Sequence, residues 1–243
     1  MCFPNMRDFN LSLGLTLIMH NSGFLLGQLL RVSSPSLPVG GFSYSQGLET
    51  AVLNGWVHDE LSAYEWIKGV SYTTLRHTDL PLLTRIYLAF REQDFQQVAV
   101  WNQRLVSMRE TAELRKEELI TGAAFRKILQ LDGILVSDLR DTLSELSAVA
   151  CFAIYCAHYR IELKDSLCGY IWSRMENSVA AAIKLVPLGQ SAGQKILATL
   201  VCEMDSLIDS SFLVTEDELG VSTPASTFAS CAHEKEYSRL FRS

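Results

Sequence analysis

Two side chains of the kind that bind metals stand close together late in the sequence. Cys231 and His233 place a thiol and an imidazole two positions apart. A closed metal site needs a near-tetrahedral set of about four ligands, so the others would have to come from elsewhere, for example from a second copy of the chain. The ordinary interpretation is an isolated thiol beside an exposed histidine, which leaves Cys231 and His233 as weak candidates for metal ligands.

The segment from Gly189 to Lys195 superficially resembles a phosphate-binding loop. The match fails because Gly189 and Gly193 are one residue too close, and because Lys195 lacks the following serine or threonine that would bind magnesium. The sequence therefore does not predict a nucleotide site. A helix beginning here would still offer free backbone amides to an anion or to a partner's carboxylate.

The sequence contains no recognisable arrangement for nucleophilic catalysis. Ser43 and Ser45 have no histidine or acid nearby in the sequence, and no Gly-x-Ser-x-Gly elbow is present. The acid pair Glu117-Glu118 is typical of a solvated helix face. We therefore expect a protein that is not an enzyme and needs no cofactor.

Composition and charge exclude several classes of partner. The 243 residues are 48% hydrophobic and 20% charged, and 21 basic against 27 acidic residues give a net charge of −6. Because the charges alternate, neither nucleic acid nor a membrane surface is a predicted partner.

Six scattered cysteines favour a reducing compartment, so we expect a cytoplasmic protein. An apolar run at 11–19 is a weak signal peptide and is too short to cross a bilayer.

Apolar residues recur at three- and four-residue spacing through most of the chain. This period predicts an all-α protein with a single compact multi-helix domain. The segment from Leu146 to Tyr159 is apolar on nearly all sides and predicts a buried central helix. Asp59 is placed to cap a helix, and Pro81 is placed near the start of another. Two long helices are predicted, one from Asp165 to Val186 and one from Ser191 to Ile208. A charged, exposed helix side is expected at Arg109, Glu110, Glu113, Arg115, Lys116 and Glu117.

The chain divides into three predicted parts, which are an N-terminal extension (1–18), a helical domain (19–216) and a flexible segment with a docking tail (217–243). No apolar period persists from Asp217 to Ser230, so this segment is expected to be mobile. From His233 to Ser243 a short helical pattern returns, with Tyr237, Leu240 and Phe241 on one face. Such a tail has little to bury by itself, which favours docking on a partner.

A shaped corner is predicted at 34–49, between two helical patterns. Pro35 and Pro38 hold the backbone extended, and the pair Gly40-Gly41 lets it turn toward the next helix. An ordinary connection between helices would have a similar composition.

Four segments of this chain resemble, in the same order, segments of the UreF family of urease accessory proteins. They are SPSLPVGGFSYSQGLE at 34–49, RETAELR at 109–115, NSVAAAIKLVPLGQ at 177–190 and HEKEYSRLFRS at 233–243. The resemblance extends from about residue 27 to residue 243. The departures from the family pattern are the first eighteen residues and Cys231.

This resemblance implies an all-helical homodimer without catalytic chemistry of its own. The implied partners are UreD (also called UreH), the GTPase UreG and apo-urease. The resemblance implies that the protein joins UreD and UreG on apo-urease and assists nickel delivery. Two alternatives stay open. One is direct regulation of the GTPase by Gln190 or Arg115 acting in trans, and the other is nickel carriage by Cys231 and His233.

The resemblance also implies which residues bind partners. UreD is expected to bind the tail, with the two apolar side chains buried and the arginines at the rim, through Tyr237, Arg239, Leu240, Phe241 and Arg242. A surface that shapes the assembly is expected at Ser43, Tyr44, Gln46 and Glu49, and simple packing of the corner is an equal alternative. The surface for UreG is expected at Pro187, Gly189, Gln190 and Lys195.

Overall fold

Helices build the part of the chain that the computed structural model describes, which is residues 22–134 and 145–243. In chain order they are α1 (Ser22–Ser33), α2 (Leu48–Leu53), α3 (Glu60–Val70), α4 (Leu80–Arg91), α5 (Phe95–Ser107), α6 (Ala112–Leu131), α7 (Ala148–Tyr159), α8 (Leu163–Leu185), α9 (Gln190–Val201), α10 (Met204–Ser211) and α11 (Pro224–His233). No residue in the described ranges forms a β-strand, which confirms the all-α prediction. The predicted extension at 1–18 lies outside these ranges.

The central helix is α7, as its sequence predicts. Every residue from 149 to 157 is buried, and α4 and α6 pack on it from two sides. Phe152 meets Phe125 of α6 and Tyr170 of α8 in edge-to-face contacts, with ring centroids 6.5 and 5.4 Å apart. A helix with no polar side can be stable only when it is enclosed in this way.

Pro81 lies at the start of a helix, as predicted, but this helix continues directly from the helical segment before it. A π-helical segment, Ser71–Asp79, joins α3 to α4, and Pro81 lies in the first turn of α4. Proline has no N–H to donate to the carbonyl four residues earlier, that of His77. The N–H of Gly220 donates to this carbonyl at 3.1 Å instead, so a distant segment completes the bonding of the helix. Asp59 caps α3 as predicted.

Two further boundaries differ from the sequence prediction. The single helix expected from Ser191 to Ile208 is broken between α9 and α10, where Glu203 accepts hydrogen bonds from Tyr64 and Lys68 of α3. A helix that the apolar pattern did not predict, α11, begins at Pro224 and packs on α2. None of the described helices is both long enough and apolar enough to span a membrane.

Candidate partner-binding surface

The corner and the tail, which are far apart in the sequence, meet in the structure. The corner turns through left-handed conformations at Gly40 (φ 80°), Gln46 (φ 55°) and Gly47 (φ 82°). This turn directs the N–H groups of Ser45 and Gln46 toward the backbone oxygen of Ser243, at 2.8 and 3.0 Å, and the Ser45 hydroxyl also donates to it at 2.6 Å. The tail therefore completes the hydrogen bonding of the corner.

Glu49 holds the tail from the first turn of α2. One carboxylate oxygen accepts the N–H of Leu240 at 2.7 Å, and the other accepts the N–H of Phe241 at 2.9 Å. Glu49 is only 6% exposed. The carboxylate of Glu49 is therefore buried between α2 and the tail, a position that matches the alternative of simple packing of the corner.

His233 is buried, whereas the sequence suggested an exposed histidine. Its Nδ1 lies 2.7 Å from Glu113 and its Nε2 lies 3.3 Å from Glu49, so both ring nitrogens face carboxylates. Cys231 is exposed. In the described part of the chain no group of three or more His, Cys, Asp or Glu residues is arranged to hold a metal ion. The imidazole has a structural role here, which is to join α11 to α6 and α2.

Arg109 was expected on an exposed side but lies in a buried ion cluster. Its guanidinium is 2.8 Å from Asp79 and 2.6 Å from Glu118, and Tyr170 donates a hydrogen bond to Asp79 at 2.6 Å. Burial opposes the charge of Arg109, but the two carboxylates raise its pKa well above the ordinary value. The segment RETAELR therefore begins with a residue of the core, whose loss would leave the buried carboxylates of Asp79 and Glu118 without their cation.

Glu117 is also buried, which overturns the interpretation of Glu117-Glu118 as a solvated face. Its carboxylate accepts hydrogen bonds from Gln46 of the corner at 2.7 Å and from the Ser243 hydroxyl of the tail at 2.8 Å. Burial raises the pKa of Glu117 above its ordinary value of 4.5, although Arg174 at 3.7 Å acts in the opposite direction. This one side chain connects α6, the corner and the tail.

The tail does not form the predicted helix, because α11 ends at His233 and turns follow it. Its apolar side chains consequently point in different directions. Phe241 is buried in the body of the same chain, with the Lys184 ammonium 5.6 Å from the ring centroid. Tyr237 is fully exposed and Leu240 is 66% exposed. Only the latter two are free to bury apolar surface against another protein.

The four residues expected to form the UreG surface lie around the start of α9. Gly189 is the N-cap of this helix, and Pro187, Gln190 and Lys195 are exposed with it. Lys195 also lines a groove of about 450 Å³ between α9 and α3. The structure thus presents this set as one outward-facing region on α9 and the turn before it.

A second groove, which we call the Tyr44 groove, lies where α6 passes the corner and the tail. Its volume is about 410 Å³, and it is lined by Tyr44, Glu113, Lys116, Glu117, Ile120, Arg239 and Arg242. Sequence reasoning missed Ile120 as a site residue and assigned Lys116 only to a solvated side. Lys116 and Ile120 are four residues apart, so they lie on the same face of α6. This spacing is the sequence signal that could have identified them.

Comparison with known proteins gives consistent results. The family model described as UreF matches residues 57–201. A urease accessory protein UreF from Alcanivorax borkumensis is 38% identical over 93% of this chain and all of its own length. Those from Pseudomonas putida strain W619 and Teredinibacter turnerae are 41% and 40% identical, covering 92% and 88% of this chain and 100% and 97% of their own lengths.

Proposed function

Because this chain belongs to the UreF family of urease accessory proteins, we propose that it is the adaptor that joins UreD and the GTPase UreG on apo-urease. In this role it assists the delivery of nickel to urease without reacting chemically itself. The proposal includes assembly in the cytoplasm and a homodimeric state. It is supported first by the resemblance of the four motifs and then by the positions that those motifs occupy in the fold.

The main support for the proposal is that the corner and the tail are hydrogen-bonded to each other. Glu49, Glu117 and the corner amides all bind the tail, so a segment that could be loose is held in one shape. On this support Tyr237 and Leu240 remain exposed. An exposed tyrosine on a rigid base resembles the anchor residues of protein interfaces, and the exposed leucine near it adds apolar surface that a partner would bury.

We propose that UreD covers Tyr237 and Leu240, with Arg239 and Arg242 at the rim. Phe241 would act indirectly, since its burial within the chain fixes the tail. Replacing Phe241 is therefore an ambiguous test, because it would disturb the tail as well as the interface. A change at an exposed tail residue separates these effects.

The decisive experiment compares Leu240→Ala with Leu131→Ala, since Leu131 is 85% exposed on α6. Affinity for UreD is measured by calorimetry, and urease activation is measured in cells. We expect Leu240→Ala to weaken UreD binding about tenfold and Leu131→Ala to leave it unchanged, because only the first removes a proposed anchor. Equal affinities of the two variants would refute the proposed UreD surface.

The region around Lys195 is the proposed surface for UreG. Its position on α9 leaves the corner and the tail available for UreD, as an adaptor requires. Reversing the charge with Lys195→Glu should reduce recruitment of UreG while UreD binding stays unchanged. The same purified proteins distinguish an adaptor from a direct regulator, because a regulator would alter the rate of phosphate release by UreG.

A nickel-carrier role receives less support. Both ring nitrogens of His233 face carboxylates inside the fold, so this imidazole could bind a metal only after the tail anchor had opened. Equilibrium dialysis of the intact protein with Ni²⁺, repeated with Cys231→Ser, tests this alternative. Stoichiometric retention of nickel that is lost in the variant would favour the carrier role.

A further inference from the structure

The Tyr44 groove contains a buried hydroxyl group without a partner. Tyr44 is 8% exposed, it lines the groove, and its hydroxyl forms no hydrogen bond within the described residues. A buried phenol usually has a hydrogen-bond partner, because leaving the group unsatisfied costs about 1 to 3 kcal/mol. The hydroxyl therefore lacks the acceptor that a buried phenol normally has, and a group bound against Tyr44 in the groove would supply one.

The carboxylates of the groove are already occupied. Glu113 uses one oxygen for Arg239 at 2.6 Å and the other for His233 at 2.7 Å. Glu117 uses its oxygens for Gln46 and Ser243. Each of the four carboxylate oxygens in this groove thus already has a partner, which partly neutralises the negative charge that an entering cation would meet.

The cations of the groove, in contrast, are partly free. Lys116 and Arg242 are both exposed, and neither forms an ion pair with any described residue. Together with the Tyr44 hydroxyl they make a set of donors around one space of about 410 Å³. This set stands out in a chain whose net charge is −6, and its chemical complement is an anion.

We propose that the Tyr44 groove binds a carboxylate side chain from an acidic segment of a partner protein. The carboxylate accepts the Tyr44 hydroxyl, and Lys116 and Arg242 neutralise its charge. A glutamate or aspartate fits better than a phosphorylated residue, because Glu113 and Glu117 in the wall repel a doubly charged group more strongly. This inference rests on the proposed adaptor function and identifies the chemistry of one partner contact.

The test measures binding of a fluorescein-labelled hexaglutamate peptide to the full chain by fluorescence anisotropy at low ionic strength. Tyr44→Phe removes only the hydroxyl and should weaken binding about tenfold, because it deletes a hydrogen bond to a charged group. Lys116→Gln should weaken binding about threefold. Lys127→Gln is the matched control, since Lys127 is exposed on the same helix about three turns away, and it should leave affinity unchanged.

Two results would overturn the groove proposal. One is equal hexaglutamate affinity for Tyr44→Phe, Lys116→Gln and Lys127→Gln, and the other is tighter binding of a phosphoserine peptide than of hexaglutamate. Co-purification of the same variants with UreD and UreG separates this proposal from the adaptor function. If the unaltered chain binds hexaglutamate through Tyr44 but recruits neither partner, the adaptor function fails and the groove chemistry stands. If all variants recruit partners but bind peptide equally, the groove proposal alone fails.

Discussion

Glu49 accepts hydrogen bonds from a part of the chain that lies almost two hundred residues later. Its two oxygens are shared among the backbone N–H groups of Leu240 and Phe241 and the imidazole of His233. A carboxylate suits this position because both of its oxygens are acceptors. Glu49 thus provides acceptors for three groups of α11 and the tail, alongside the bonds that Glu117 and the corner make to Ser243.

Glu49→Gln should loosen the tail while leaving the helical body folded. The amide replaces one acceptor by a donor, so one tail N–H loses its partner at a cost of about 1 to 3 kcal/mol. We expect faster hydrogen exchange at the Leu240 and Phe241 amides and a lower urea midpoint. Glu234→Gln is the control, because Glu234 is exposed beside the same tail. Unchanged exchange at both amides would contradict the anchoring role of Glu49.

Individual residues could be predicted from the sequence in type but not in environment. Tyr44 and Glu49 were recognised as important because the motif around them resembles a family segment. The burial of Arg109 and Glu117 was missed, because charged residues at helical spacing are normally solvated. Their partners Asp79 and Ser243 are 30 and 126 positions away, and a pairing over such distances leaves no local pattern.

At the level of helices, α6 lies against the backbone at the start of α7 where it passes Gly122. A Cβ atom added to Gly122 would lie 2.0 Å from the carbonyl oxygen of Leu146 and 2.8 Å from the backbone of Ser147. These are backbone atoms, which cannot rotate away as a side chain could. The absence of a side chain at Gly122 therefore permits α6 to contact the central helix directly.

Gly122→Ala should destabilise the protein by about 3 kcal/mol, because the methyl group forces the two helices apart. Gly27→Ala makes the same change in α1, where an added Cβ meets no atom within 4 Å, and it should stabilise the protein by about 0.5 to 1 kcal/mol. Urea unfolding of both variants measures the two free energies. Similar unfolding free energies would show that helix propensity, and not the contact with α7, determines the effect.

The helices themselves were predictable where the apolar pattern was strong, as in α7, which is apolar on nearly all sides. The features that the sequence did not predict depend on groups that are distant in the chain. The helix through Pro81 continues because Gly220 bonds the free carbonyl, and the break after α9 coincides with the bonds of Glu203 to α3. The helix α11 contains few large apolar residues, so its stability comes from packing that a sequence window does not reveal.

At the scale of the whole molecule, ionisable groups lie inside the fold and link its parts. Glu117 of α6 accepts hydrogen bonds from the corner and the tail. Glu118 accepts the N–H of Val149 at the start of α7, and it is linked to Asp79 of the π-helical segment through Arg109. Burying such charges is costly unless they are paired, and for Glu117 burial shifts the pKa, so its protonation contributes to the pH dependence of stability.

The direction in which pH changes the unfolding free energy through Glu117 follows from its pKa shift. Its pKa in the folded protein lies above the ordinary 4.5, so the folded state binds the proton more tightly than the unfolded state. Its contribution to the unfolding free energy is therefore most favourable below pH 4.5 and declines as pH rises through the folded-state pKa. In Glu117→Gln this decline disappears. Urea unfolding from about pH 4 to about pH 8 should show the variant gaining stability relative to the unaltered chain. Parallel curves would contradict the prediction.

The contact between Ser45 and Ser243 also orders events during translation. The two residues are separated by 198 positions, so at ordinary elongation rates the corner waits roughly 10 to 40 s on the ribosome before its acceptor is synthesised. Until then the amides of Ser45 and Gln46 lack this partner. A nascent chain therefore cannot present a finished corner until synthesis has reached the residues that complete it.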